Sequence, residues 1–253
     1  ENVDLPGANA WKNRDWRKDH PNTAVAAVAT VGRSVVVTEE NGHDVLYFHG
    51  GSGGATSKDL IRAELVDDDY RNDILSVAGG AWNNSTSDAQ AAYDPVRKIF
   101  LDGSYRSTLG DAIGGWDLQS QGASNRFFSC PTSGIVGPDA AEFIANMDNT
   151  RYGNIYDERR KHFVVYSRKG ALYALWPPAS GPLTTGWSVR KIVGDLPLMP
   201  LKEVSDPSDP AYESGLTGKW KRSKRLDVYV HLQHPIEGNV WMFKPLDWLD
   251  PRT

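Results

Sequence analysis

A short motif that returns at a near-constant interval constrains this chain more than its composition does. Ala91–Leu101 reads as a strand, a charged turn and a second strand, Ala-Ala-Tyr-Asp-Pro-Val-Arg-Lys-Ile-Phe-Leu. The same order of residue types returns in Asn154–Val165 and again in Lys219–Val230. Taking the leading aromatics as Tyr93, Tyr156 and Trp220, the steps are 63 and 64 residues. Each copy then reaches a tryptophan, Trp116, Trp176 or Trp241. A period of this size describes a stacked or radial array of one supersecondary unit, each copy burying its apolar faces against the next. These six aromatics are therefore expected to be core positions.

A fourth, weaker copy precedes the three. Ser34–Thr38 is β-branched, Glu39–Gly42 is a turn, and Val45–Gly51 and Leu60–Leu65 follow as strands. Further strands are expected at Asp73–Val77, Arg126–Cys130 and Trp187–Val193, with one helical turn at Asp139–Ala145. Each unit then holds about four short antiparallel strands with turn signals between them, over roughly residues 32–80, 81–138, 139–200 and 201–247. Residues 1–23 read as an arm, and 24–253 as one all-β domain.

Four-stranded units repeated radially make a β-propeller. Val45-Leu46-Tyr47-Phe48-His49-Gly50-Gly51, an apolar strand ending in a double glycine, resembles the start of a kelch repeat, and Gly114-Gly115-Trp116-Asp117-Leu118 is similar to a later strand of such a blade. The other copies carry Asp102-Gly103, Tyr166-Ser167 and His231-Leu232 where the double glycine would stand. The resemblance implies a kelch-like or galactose-oxidase-like propeller and leaves function open. The last copy lacks an outer strand, and Ala24–Val31 could supply it, completing a four-bladed ring without free edges. The rival reading is part of a larger propeller with blades on a neighbouring chain.

Composition removes several classes. A net charge of -4 and a pI near 5.9 give no footprint for nucleic acid, even beside the mixed-charge tryptophan segment Trp11–His20. The longest apolar run, Thr23–Val31, is too short to span a bilayer. A single cysteine, Cys130, excludes a disulfide framework and reads as a buried thiol. The first residue, Glu1, reads as a processed terminus or an imposed boundary, which leaves export open, and an extracellular or surface-associated protein is expected.

In a four-stranded antiparallel blade the loop between strands two and three shares an end with the blade-to-blade connection, and scaffolds place chemistry in such loops. That connection end gathers ligand-binding candidates Trp82, Asn83, Asn84, Arg106, Arg151, Arg168 and Lys169, and acid/base candidates Tyr105, Tyr152, His49 and His234. Arginine pairs with carboxylates, and flat aromatics with amides suit hydroxyl-rich rings. At the opposite end, Arg97-Lys98, Arg159-Arg160-Lys161 and Lys221–Arg225 read as solvated turn charge.

Other constellations fail. His231 and His234 stand three apart on a strand, so their side chains should take opposite faces, against shared metal ligation. The copper-radical chemistry that a galactose-oxidase likeness suggests needs a Tyr-His pair, and none is evident. Gly51–Gly54 precedes no helix and makes no phosphate loop. Neither cofactor nor metal is expected. The functional expectation is a recognition module for glycan or another polar polymer. The alternatives are a polysaccharide lyase, with Tyr or His as acid/base and Arg neutralising a uronate, and an assembly propeller of a virion or secretion apparatus with a protein partner.

Overall fold

The computed structural model describes residues 34–38, 42–49, 59–66, 69–77, 90–102, 111–119, 127–146, 152–167, 170–193, 219–234 and 239–247. Among the described residues the architecture is all-β, built of antiparallel sheets with one short α-helix.

Sheet 1 holds β1 (Ser34–Thr38), β2 (Asp44–His49), β3 (Asp59–Val66) and β4 (Asp69–Val77), each paired with its predecessor. Sheet 2 repeats that order with β5 (Ala92–Asp94), β6 (Ile99–Leu101), β7 (Asp111–Asp117) and β8 (Phe127–Pro131). A short β9 (Ile135–Val136) and the helix α1 (Ala140–Ala145) follow. Sheet 3 contains β10 (Gly153–Asp157), β11 (His162–Tyr166), β12 (Leu172–Trp176) and β13 (Trp187–Ile192). β9 adds to its outer edge in parallel, a pairing the sequence reading did not include. Sheet 4 has β14 (Trp220–Ser223), β15 (Val228–His234) and β16 (Asn239–Phe243).

Side-chain alternation decides how the sheets stack. Phe100 joins Val45, Tyr47, Leu60 and Trp116 in a cluster between sheets 1 and 2. Its neighbours Ile99 and Leu101 point the other way, to Phe163, Val165, Tyr173 and Trp187 of sheet 3. Val164 and Tyr166, alternating with these, meet Trp220, Tyr229 and Phe243 of sheet 4. Sheets 2 and 3 are thus covered on both faces, which is why β6 is apolar throughout and β11 carries an apolar run after His162. The first strands β1, β5, β10 and β14 neighbour one another in turn. Gln90, just before β5, donates from Nε2 to the carbonyl of Trp220 in β14 at 3.1 Å, so sheets 2 and 4 also touch.

The first hairpin turns of sheets 2, 3 and 4 carry the repeat. Asp94 Oδ1 accepts the backbone N–H groups of Val96 and Arg97, and Asp157 Oδ1 those of Arg159 and Arg160. Ser223 Oγ accepts the N–H of Leu226. The turn closes on a residue in the left-handed region, Lys98 (φ 54), Lys161 (φ 55) and Asp227 (φ 51). These positions set the register, with steps of 63 and 66 residues, and correct the 63 and 64 read from aromatics. Trp220 is therefore equivalent to Asn154, and Arg222 to Tyr156. The tryptophans are not equivalent either: Phe100 pairs with Trp116, Phe163 with Leu175, and Tyr229 with Phe243. Of the six aromatics expected in the core, Trp116 and Trp220 are fully buried, while Trp241 is 41% exposed.

Candidate functional site

Two clusters of polar side chains are built where sheets 3 and 4 meet, one at each end of their first strands.

At the turn end, Asp157 and Asp227 are enclosed by the two hairpin turns. Asp157 takes the Tyr229 hydroxyl at 2.6 Å and Arg160 Nη1 at 3.0 Å, and faces Arg222 Nε at 3.3 Å. Asp227 takes Arg160 Nη1 at 2.9 Å, Arg160 Nη2 at 3.0 Å and Arg222 Nη2 at 2.6 Å, and also pairs with Arg159. Arg160 reaches Asp247 at 2.7 Å. Burial alone would push the Asp157 carboxyl up. The Tyr229 hydroxyl, the Arg160 N–H and the two guanidinium groups outweigh burial and hold it below the usual carboxylate range. Asp227 is held low likewise, burial being outweighed by Arg160 and Arg222. The solvated-charge expectation is corrected here for Arg160 and Arg222, whose side chains are 11% and 8% exposed. Inside, Arg160 meets three carboxylates, Asp157, Asp227 and Asp247, and Arg222 meets two, Asp157 and Asp227. Arg97 also leaves solvent, donating to the Pro178 carbonyl of sheet 3.

At the connection end the buried polar groups are uncharged. Gln90, Asn154, Trp220 and His231 are almost wholly covered. Gln90 Oε1, both amide atoms of Asn154, Trp220 Nε1 and His231 Nε2 make no hydrogen bond among the described residues. The turn end has fewer such atoms, His162 Nε2 and the Arg222 Nε already placed near Asp157. Aromatic rings wall the set. Trp220 lies against Gly153, Tyr166 and Tyr229, and Tyr166 meets His231 edge-on with centroids 4.9 Å apart.

Tyr166 Oη and His231 Nδ1 are 3.3 Å apart. The fold therefore makes a Tyr-His pair from residues 65 apart, which the sequence reading had denied. Burial, and secondarily the Lys219 charge, lowers His231 to about 4, and burial raises Tyr166. Both groups are neutral at pH 7 and far from it in pKa, so the pair holds protons rather than transferring them. Among the described residues no group of three or more His, Cys, Asp or Glu could hold a metal ion.

Of the sequence candidates, Tyr152 is buried and donates its hydroxyl to the Asn146 carbonyl at 2.9 Å. His49 ends β2 opposite Leu60, and His234 ends β15 opposite Asn239. Trp82, Asn83, Asn84, Tyr105, Arg106, Arg151, Arg168 and Lys169 lie outside the described residues. So do the arm and the strand read at Ala24–Val31. Cys130 is buried and bonds the Pro131 carbonyl. Among the described residues no helix is long and apolar enough to cross a membrane. Sequence reasoning missed the set of Gln90, Asn154, Tyr166, Trp220 and His231. Its signal was a polar amide, Gln90 or Asn154, leading an otherwise apolar first strand. Compared with known proteins, the chain finds no counterpart: no family model, no curated protein and no solved structure matches it.

Proposed function

We propose that this chain is a kelch-like β-propeller of four blades that recognises a glycan or another polar polymer at its connection end, outside the cell or at a surface. Support for the ring comes from the stacking of four sheets in chain order and from the Gln90–Trp220 bond between sheets 2 and 4. The outer faces of the two end sheets are also apolar. Val36, between the packed Val35 and Val37, is 67% exposed on sheet 1, and Val240 and Met242 are 60% and 66% exposed on sheet 4. Faces of this kind suit packing on each other, or on a blade of a neighbouring chain.

The observation that carries the recognition reading is the uncharged polar set. The set is buried, so it lies beneath a ligand surface rather than forming one. Among the described residues these atoms have no hydrogen-bond partner, at about 1–3 kcal/mol each, and their gathering at one end favours a use for that end. The loops with Trp82, Arg151 and Arg168 lead directly into or out of the strands bearing this set.

The test is a glycan array followed by titration calorimetry. Saturable binding weakened by Trp82→Ala and Arg106→Ala is expected, and a flat array counts against the reading. Release of unsaturated sugars from an anionic polysaccharide would make it a lyase, and a stable protein partner on native purification would favour the assembly reading.

A further inference from the structure

The turn end of sheets 3 and 4 has an unusual charge for this chain. Residues 157–161 and 221–227 hold seven basic side chains against three acidic ones, an excess of four positive charges within a chain of net charge -4. Asp157 and Asp227 are spent inside, on Arg160 and Arg222. Outside remain Arg159, Lys161, Lys221, Lys224 and Arg225, with Glu158 the lone acid of these two segments left at the surface.

Two contacts bind the turns tip to tip. Lys224 pairs with Glu158 at 2.6 Å, and Arg159 crosses to Asp227. Cations from both sheets thus share one surface. Lys161, Lys221 and Arg225 are exposed and make no ion pair among the described residues. Lys161 stands at φ 55, where glycine or asparagine is the unstrained choice. Its sheet 2 equivalent is Lys98 at φ 54. The sheet 4 equivalent is Asp227, so the turn itself does not call for a lysine there.

We propose that this surface is a second binding site, for an anionic polysaccharide, separate from the connection end. The size of the patch selects among polyanions. Duplex DNA carries one charge per ~1.7 Å and its binders neutralise many phosphates at once, which an excess of four charges on an acidic chain does not provide. A polymer with one carboxylate or sulfate per sugar needs fewer cations at once, and the two turns offer Arg159, Lys161, Lys224 and Arg225, Lys221 facing away from sheet 3 by strand alternation.

The experiment is fluorescence anisotropy with labelled polygalacturonate at low and physiological salt, with polyglutamate and a DNA duplex beside it. The protein is compared with Lys161→Gly/Arg225→Ser, with Trp82→Ala and with an outer-strand control, Arg190→Glu. Lys161→Gly relieves the backbone, so lost binding cannot be put down to lost folding. Each exposed cation contributes about two- to fivefold. The double variant should therefore bind polygalacturonate about tenfold more weakly, with a shallower salt dependence, while Arg190→Glu binds as the parent does. Unchanged affinity in the double variant overturns the proposal, as does no binding at low salt. Tighter binding of polyglutamate or DNA than of polygalacturonate overturns it too. A loss confined to Trp82→Ala would move the polyanion to the connection end and leave the recognition reading standing.

Discussion

Acidifying the protein from neutral pH loads a proton onto His231 in the unfolded chain long before the folded chain accepts one. The imidazole is 1% exposed between Tyr166 and the strands of sheet 4. Burial first, then the charge of Lys219, brings it from 6.5 to about 4. Between those values the unfolded state binds more protons, so stability is complete above pH 6.5, falls through the window and levels off below pH 4. The gap corresponds to about 3 kcal/mol in all, with about 1 kcal/mol gone by pH 5.5 and most of it by pH 4.5. His162 is lowered in the same direction, again by burial first, so the parent alone does not isolate the effect. Urea unfolding followed by tryptophan fluorescence, at half-unit steps from about pH 7.5 to about pH 4.5, should be run on the parent and on His231→Gln. The variant starts less stable, and its curve against pH should be flatter by the amounts above. The stability lent by Asp157 and Asp227 is present above the unfolded carboxylate value of 3.8 and is lost as pH falls from there through their lower folded values. That window lies beneath the one tested. Parallel curves for parent and variant would refute the reasoning.

Three more substitutions test the packing. Lys161→Gly removes a left-handed lysine (φ 55) and should raise the unfolding free energy by about 1 kcal/mol, read as a higher urea midpoint. Gly153→Ala puts a Cβ 2.8 Å from the Cβ, Cγ and Cδ1 of Trp220. It should destabilise by about 1–3 kcal/mol, and a neutral result would mean that sheets 3 and 4 part easily. Asp227→Ala leaves the enclosed Arg160 and Arg222 sharing Asp157 as their one buried carboxylate and should lower stability by about 3–5 kcal/mol at pH 7. A loss below about 1 kcal/mol would show that water already reaches the pair.

Strands were legible where apolar runs meet turn residues. Asp59–Val66, Phe127–Pro131 and Trp187–Ile192 fall within a residue or two of their expected bounds, and the helical turn expected at Asp139–Ala145 forms at Ala140–Ala145. The register of the third copy was not legible from aromatics. A tryptophan fits any inward position, whether Trp116 opposite Phe100 or Trp220 against Gly153. The turn is less permissive, because a side-chain oxygen must cap it and one residue must accept a positive φ. Asp94, Asp157 and Ser223 therefore mark equivalent positions better than the rings do. The buried ion cluster was hidden for a related reason. Arg160 and Lys161 are adjacent and alike in sequence, yet one is enclosed and the other exposed. Only the position of sheet 4 decides which. The neutral polar set was hidden because Gln90 meets Trp220 across 130 residues.

That separation also bears on how the chain reaches its native state. No local segment can satisfy the Gln90 amide, so its bond must wait until β14 has been made and docked behind two intervening sheets. Contacts of such long sequence separation slow folding towards the millisecond-to-second range. Until sheet 4 arrives, a nascent chain presents Val164, Tyr166 and Leu172 on a bare face of sheet 3, the kind of surface that draws chaperones or misassembly. The segment that makes sheet 4 thus acts as the cover for a sheet completed before it.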